Sequence, residues 1–280
     1  MTEKKMGIDI ILEPFSYQFM VRSLIISVLV GITLPLIGSF VINRNLGFMG
    51  DAIAHASLPI LVIGSILGVS IFLSAIPAAI IIAITLGYII GRSSVGEDTA
   101  IGIIFSTFFA IGIILLKRYN LATTLNIEDI LFGQILGVSN GDVISTLALS
   151  LITIFTIIIF YKQILYLSFD PIGAQVTGLN TKLFDNLFLI ILSLAVIGAL
   201  QSVGIILVLS MLITPAAASK LIMKNFFHSM YVSCIFGVIA SVSGLYFSYY
   251  INLPSGPAMA LSSTGIFVIC WTFRRSVRLI

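Results

Sequence analysis

Three runs of this chain, Ser23 to Ile42, Ile71 to Ile90 and Val143 to Tyr161, contain no charged residue at all. Each is close to the roughly 20 residues that a helix needs to cross the hydrocarbon of a bilayer. Inside a bilayer every backbone N–H and C=O must find its partner within the protein, which leaves only helices and closed barrels. Barrel strands alternate polar and apolar residues over short stretches, whereas these runs are apolar on every side. The chain is therefore all-α, a polytopic membrane helical bundle. With 9% charged residues and a mean hydropathy of +1.19, it has too few charges to cover a water-soluble surface.

Marking the apolar runs and their polar punctuation places spans at 18–42, 53–69, 71–91, 100–117, 142–162, 184–201, 203–223, 229–250 and 257–273. The join near Val69 has almost no polar connector, so the count is eight or nine. The whole of 1–280 reads as one transmembrane domain. The net charge of +3 bears on topology, not on nucleic acid. A cytoplasmic C-terminus with nine spans puts Arg44, Arg92, Lys162, Lys182, Lys220, Lys224, Arg274, Arg275 and Arg278 inside. Lys4, Lys5, Arg22, Lys117 and Arg118 then fall outside, the last two being the weakest fit. The opening MTEKKMGIDIILEPF mixes acids with lysines and precedes no A-x-A site, so the first run is expected to be kept as a span.

Two connectors are longer than turns. Tyr119 to Asp142 is too polar to span, and an interfacial helix is expected over Ile127 to Leu136. The other, 163–183, falls on the cytoplasmic side and contains a short helix with both ends written out. Asp170 is suited to accept from an orphan N–H at the helix start, Pro171 fits the first helical position, and Gly178 permits the left-handed turn that closes it. Two readings remain for this segment: a rigid knob for a partner, or an ordinary surface helix. Thr214-Pro215 marks a point where the seventh span is open to a kink.

No phosphate-cradling G-x-x-x-x-G-K-[ST], no G-x-S-x-G, no H-E-x-x-H and no Cys-x-x-Cys occurs, so catalysis by this chain is not expected. Cys234 and Cys270 lie in apolar runs without metal-type spacing. His228 is expected at the interface. Asp51 and His55 differ from the other acids and histidine because they fall inside an apolar region, four residues apart and so on one helix face. Ionisable groups in a membrane are costly and normally face a bundle interior or an aqueous path. The pair suits a divalent ion such as Mn²⁺, Zn²⁺ or Fe²⁺, or else the two residues bond each other and a neighbouring helix. Two ligands make a weak site, which a second copy across a two-fold axis would double.

The run GFMGDAIAHASLPILVIG (Gly47 to Gly64) resembles the G-D-A-x-x-H-A-x-L-P signature of permease subunits of bacterial manganese/zinc/iron ABC importers. The likeness continues through LFGQILGVSNGD, FDPIGAQVTGLN, QSVGIILVLSMLITPAAAS and NLPSGPAMAL. Gln134 departs from it, since relatives often carry an acid there. The resemblance implies a permease of the vitamin B12/metal type in the bacterial cytoplasmic membrane, acting as a homodimer. It implies two cytoplasmic ATPase subunits, an extracytoplasmic metal-binding lipoprotein and no permanently bound cofactor. It also implies that Asp51 and His55 lie on the metal path, and that Asp170, Pro171, Ala174 and Gly178 belong to the helix that couples to the ATPase. A proton-coupled metal carrier and a permease for a metal chelate are the alternative readings.

Overall fold

A computed structural model describes residues 13–92, 96–119, 133 and 135–278. The elements among them are all helical. The first long helix is α1 (Gln18–Asn43), followed by α2 (Met49–Ala56) and α3 (Leu58–Ile66). Then come α4 (Ile71–Arg92), α5 (Glu97–Arg118), α6 (Asn140–Ile159), α7 (Tyr161–Phe169) and α8 (Pro171–Val176). The last four are α9 (Thr181–Val203), α10 (Ile205–Ile222), α11 (Phe226–Ile251) and α12 (Ser255–Arg278). With α2 and α3 taken as one span, nine helical segments among the described residues are long and apolar enough to cross a membrane.

The doubtful join near Val69 is a tight turn between two helices. Gly68 takes a left-handed φ of +69°, and the Val69 N–H reaches back 2.9 Å to the carbonyl of Gly64. That bond closes α3 and lets α4 return beside it. The interfacial helix expected over 127–136 lies mostly outside the described residues, as does Gln134. Ile135–Gly137 forms a single 3₁₀ turn. Pro215 sits inside α10, which runs on unbroken to Ile222.

The bundle has an inner and an outer layer. α1 is the axis, packed against α11, α10 and α6, while α9 packs on α4 and α6. About two thirds of the span in α1 is buried (67%), against 28% in α5 and α6, whose free faces are apolar and suited to lipid. Because lipid is as apolar as leucine, close packing and hydroxyl pairs do much of the joining between helices. Gly31 of α1 and Gly237 of α11 cross backbone to backbone, and Gly38 of α1 meets the Leu212 carbonyl of α10. Hydroxyl pairs tie α1, α10, α11 and α12: Ser39 to Ser233 at 3.0 Å, Ser219 to Ser229 at 2.9 Å and Ser210 to Ser263 at 2.8 Å. Lys117 and Arg118 occupy the last turn of α5, where the negative end of the helix dipole favours cations.

On the side opposite the Gly68 turn, Phe40 touches the rings of Tyr161, Phe188 and Phe226 and so joins α1, α7, α9 and α11. Asp185 of α9 pairs with Arg44, whose guanidinium lies 4.8 Å from the Phe188 ring centre. A cavity of about 540 Å³ opens beside this cluster, lined by Arg44, Tyr88, Ser168, Pro171, Lys182 and Asn186 among others.

Candidate metal path and coupling helix

The span that carries Asp51 and His55 is assembled from two pieces. Pro59 has no N–H to give to a carbonyl four residues back, so the ladder is interrupted there. The chain makes a one-residue turn at Ser57, whose hydroxyl donates to the Ala54 carbonyl at 2.6 Å while its own carbonyl accepts from Ile60 and Leu61. α2 itself has no side-chain cap at its N-terminal end. It is held from outside, by Leu212 of α10 against Gly50 and by α5 along its other flank.

Within α2, Nε2 of His55 stands 3.2 Å from Oδ1 of Asp51. Two donors bound to one ion at about 2.1 Å each are about 3.0–3.4 Å apart, for ligand angles between square and tetrahedral. That spacing fits two neighbouring ligands on one transition-metal ion, and equally a hydrogen bond between the two side chains. Their openness differs: the Asp51 side chain is 39% exposed and the His55 side chain 19%. His55 is flanked by Phe105 and Phe109 of α5, each ring centre 5.1 Å from the imidazole and roughly perpendicular to it. Reading the sequence did not single out these two phenylalanines, because nothing local marks a contact made across 50 residues. Among the described residues no group of three or more His, Cys, Asp and Glu comes together. His228 is exposed in the first turn of α11, beside Phe227 and away from this pair, and Cys234 and Cys270 are unpaired thiols.

The other site is α8, only six residues long. Asp170 Oδ1 accepts from the Gly173 N–H at 2.8 Å, Pro171 stands at the first helical position, and Gly178 has φ +84°. The Leu179 N–H closes the far end on the Ala174 carbonyl at 3.1 Å. Ala174 is fully buried, whereas Ile172 and Val176 are 76% and 82% exposed. Phe169, just before the cap, packs on Phe226 with ring centres 5.6 Å apart. The knob is thus seated on the Phe40 cluster and presents an apolar outer face.

Comparison with known proteins agrees with the helical fold. Residues 16–274 match the model of the ABC 3 transport family. The chain is 43% identical over 257 residues to the "Manganese transport system membrane protein MntC" of Listeria monocytogenes, covering 92% of this chain and 91% of that one. It is 33% identical over 261 residues to the "Chelated iron transport system membrane protein YfeD" of Yersinia pestis, covering 93% and 87%. Among solved structures it superimposes on a chain of PsaBC from Streptococcus pneumoniae in complex with Fab, with a TM-score of 0.84, 37% identity and 95% of each chain covered.

Proposed function

The chain belongs to the ABC 3 transport family and is a multi-span transport permease, and we propose that its cargo is a divalent transition-metal ion, manganese before zinc or iron. The observation that carries the cargo is the Asp51–His55 pair, two donors at ligand spacing inside a membrane span. Neither residue selects among these metals by chemistry, since a mixed O/N site binds zinc more tightly than manganese. The preference for manganese rests on the name of the Listeria relative.

The permease acts as a pair of copies, so that two Asp51 and two His55 side chains face a shared path. Two ATPase subunits drive it from the cytoplasm and a metal-binding lipoprotein delivers the ion from outside. With the C-terminus cytoplasmic, α1 runs inward, and the turn from Arg44 to Phe48 and the knob α8 share the inner face. Asp51 then lies roughly 3 Å along the helix from Met49, and His55 roughly 9 Å, at about 1.5 Å per residue. ATP binding closes the ATPase pair against the exposed Ile172 and Val176 of α8. The movement passes through Phe169, Phe226 and Phe40 to the inner ends of α1 and α9, between which Arg44 and Asp185 are paired. Coupling of this kind needs an element with two states that both sites bias, and the α1–α2 turn is placed to be that element.

Uptake of radioactive manganese by cells that depend on this chain tests the reading. Asp51→Ala and His55→Ala are each expected to abolish uptake while the protein still assembles in the membrane. Normal uptake by both variants would remove the pair from the path. Family membership disfavours the proton-coupled carrier. The chelate reading keeps one specific support, the name of the Yersinia relative, and comparing uptake of free and chelated iron separates it.

A further inference from the structure

The flank of His55 is closed by aromatic rings with a regularity that packing alone does not require. Phe105 and Phe109 are four residues apart on α5, the same spacing as Asp51 and His55 on α2, so each pair lies on one face of its helix. Their rings are parallel within 5°, with centres 5.9 Å apart. The imidazole meets them at 76° and 74°, in a perpendicular contact with both. Both phenylalanines are half-buried. They also belong to different surroundings. Phe105 leans on the main core, whereas Phe109 packs with Leu58, Val62 and Leu116.

The register of α5 against α2–α3 is fixed one turn further along. Gly112 leaves no room for a side chain, because a Cβ there would come 2.8 Å from the Leu58 side chain. α5 is thereby pinned at the distance that brings Phe109 to His55. One turn in the other direction, Gly102 is exposed and has nothing within 4 Å of where a Cβ would stand.

We propose that Phe105 and Phe109 are positioning residues for metal transfer: they clasp the His55 ring so that Nε2 stays turned toward Asp51. A free imidazole on a helix flips about χ2 with little resistance, and each flip carries Nε2 away from the carboxylate. Two perpendicular aromatic contacts oppose that flip, and preorganising a ligand in its bound orientation strengthens binding without adding a new contact to the ion. This inference rests on the reading of Asp51 and His55 as metal ligands.

The test uses the full chain in lipid nanodiscs with ¹⁵N-labelled histidine. The chain has two histidines, so His228→Gln leaves His55 as the only labelled residue. Zn²⁺ alone serves as a diamagnetic probe, followed through the His55 nitrogen shifts. Leucine keeps the bulk of phenylalanine and loses the ring, so Phe105→Leu with Phe109→Leu is expected to weaken Zn²⁺ binding about 10-fold, and either alone about 3-fold. The tyrosine variants keep the ring and are expected to stay within about 2-fold of the parent. If the parent shows no Zn²⁺-dependent shift, the ligand assignment of Asp51 and His55 falls and the clasp with it. If the parent binds and the double leucine variant binds as tightly, the clasp alone is overturned. Should the double variant fail to fold, the two single variants decide on the same criterion.

Discussion

Two short helices carry the function proposed for this chain, and they are stabilised in opposite ways. α8 lies outside the membrane and writes its own limits: the Asp170 side chain caps one end, and the left-handed Gly178 turns the other. α2 lies within a span and its first turn has no side-chain cap, so its place depends on Leu212 across from Gly50 and on the rings of α5. A helix bounded by its own residues behaves as a unit that can be pushed as a whole. A helix bounded by neighbours changes whenever they move, which suits a site that must bind an ion and then let it go. A short polar helix is costly in lipid unless its neighbours define it, whereas water satisfies the open ends of a knob.

Substitutions can break this contrast, and the largest effect belongs to α2. Removing either ligand, by Asp51→Ala or His55→Ala, is expected to lower manganese uptake on the order of 100-fold or more, measured as initial rate at fixed protein level. The next effect belongs to α8. Gly178→Pro cannot reach the φ of +84° that closes the knob, so transport-linked ATPase stimulation should be lost while Zn²⁺ still shifts the His55 resonance. Persistence of normal stimulation would contradict the coupling role. A milder change at the border of the first site is Gly112→Ala, which pushes α5 off Leu58 and is expected to reduce uptake several-fold by displacing Phe109, with the knob's coupling intact. The smallest effect distinguishes a cap from a charge. Asp170→Ala should cost α8 about 1 kcal/mol, and Asp170→Asn only a few tenths, because asparagine caps as well as aspartate. Amide hydrogen exchange over 171–176 reads that difference.

The same contrast explains what could be read from the sequence. The knob was legible residue by residue, because capping is a local property of Asp170, Pro171 and Gly178. The spans were legible because apolar runs of the right length have one meaning in a chain so poor in charge. Asp51 and His55 were visible as a pair on one face, but spacing left ligation and simple pairing equally open. The surroundings that give the pair its orientation come from Phe105 and Phe109, and a contact between helices leaves no local trace. The one-residue turn at Ser57 was hidden for a related reason, since Pro59 announces an interrupted ladder without saying how the chain repairs it. At Val69 the punctuation was too brief to show how the chain reverses, and the left-handed Gly68 makes the turn.

One more glycine contact has a mechanical meaning. Gly133, with φ +68°, rests directly on the Val203–Gly204 backbone, and Gly204 itself has φ +79° where α9 gives way to α10. Two main chains in direct contact have no side-chain slack between them. A load applied at Gly133 is delivered to both helices in the same displacement, like a key seated in a lock without play.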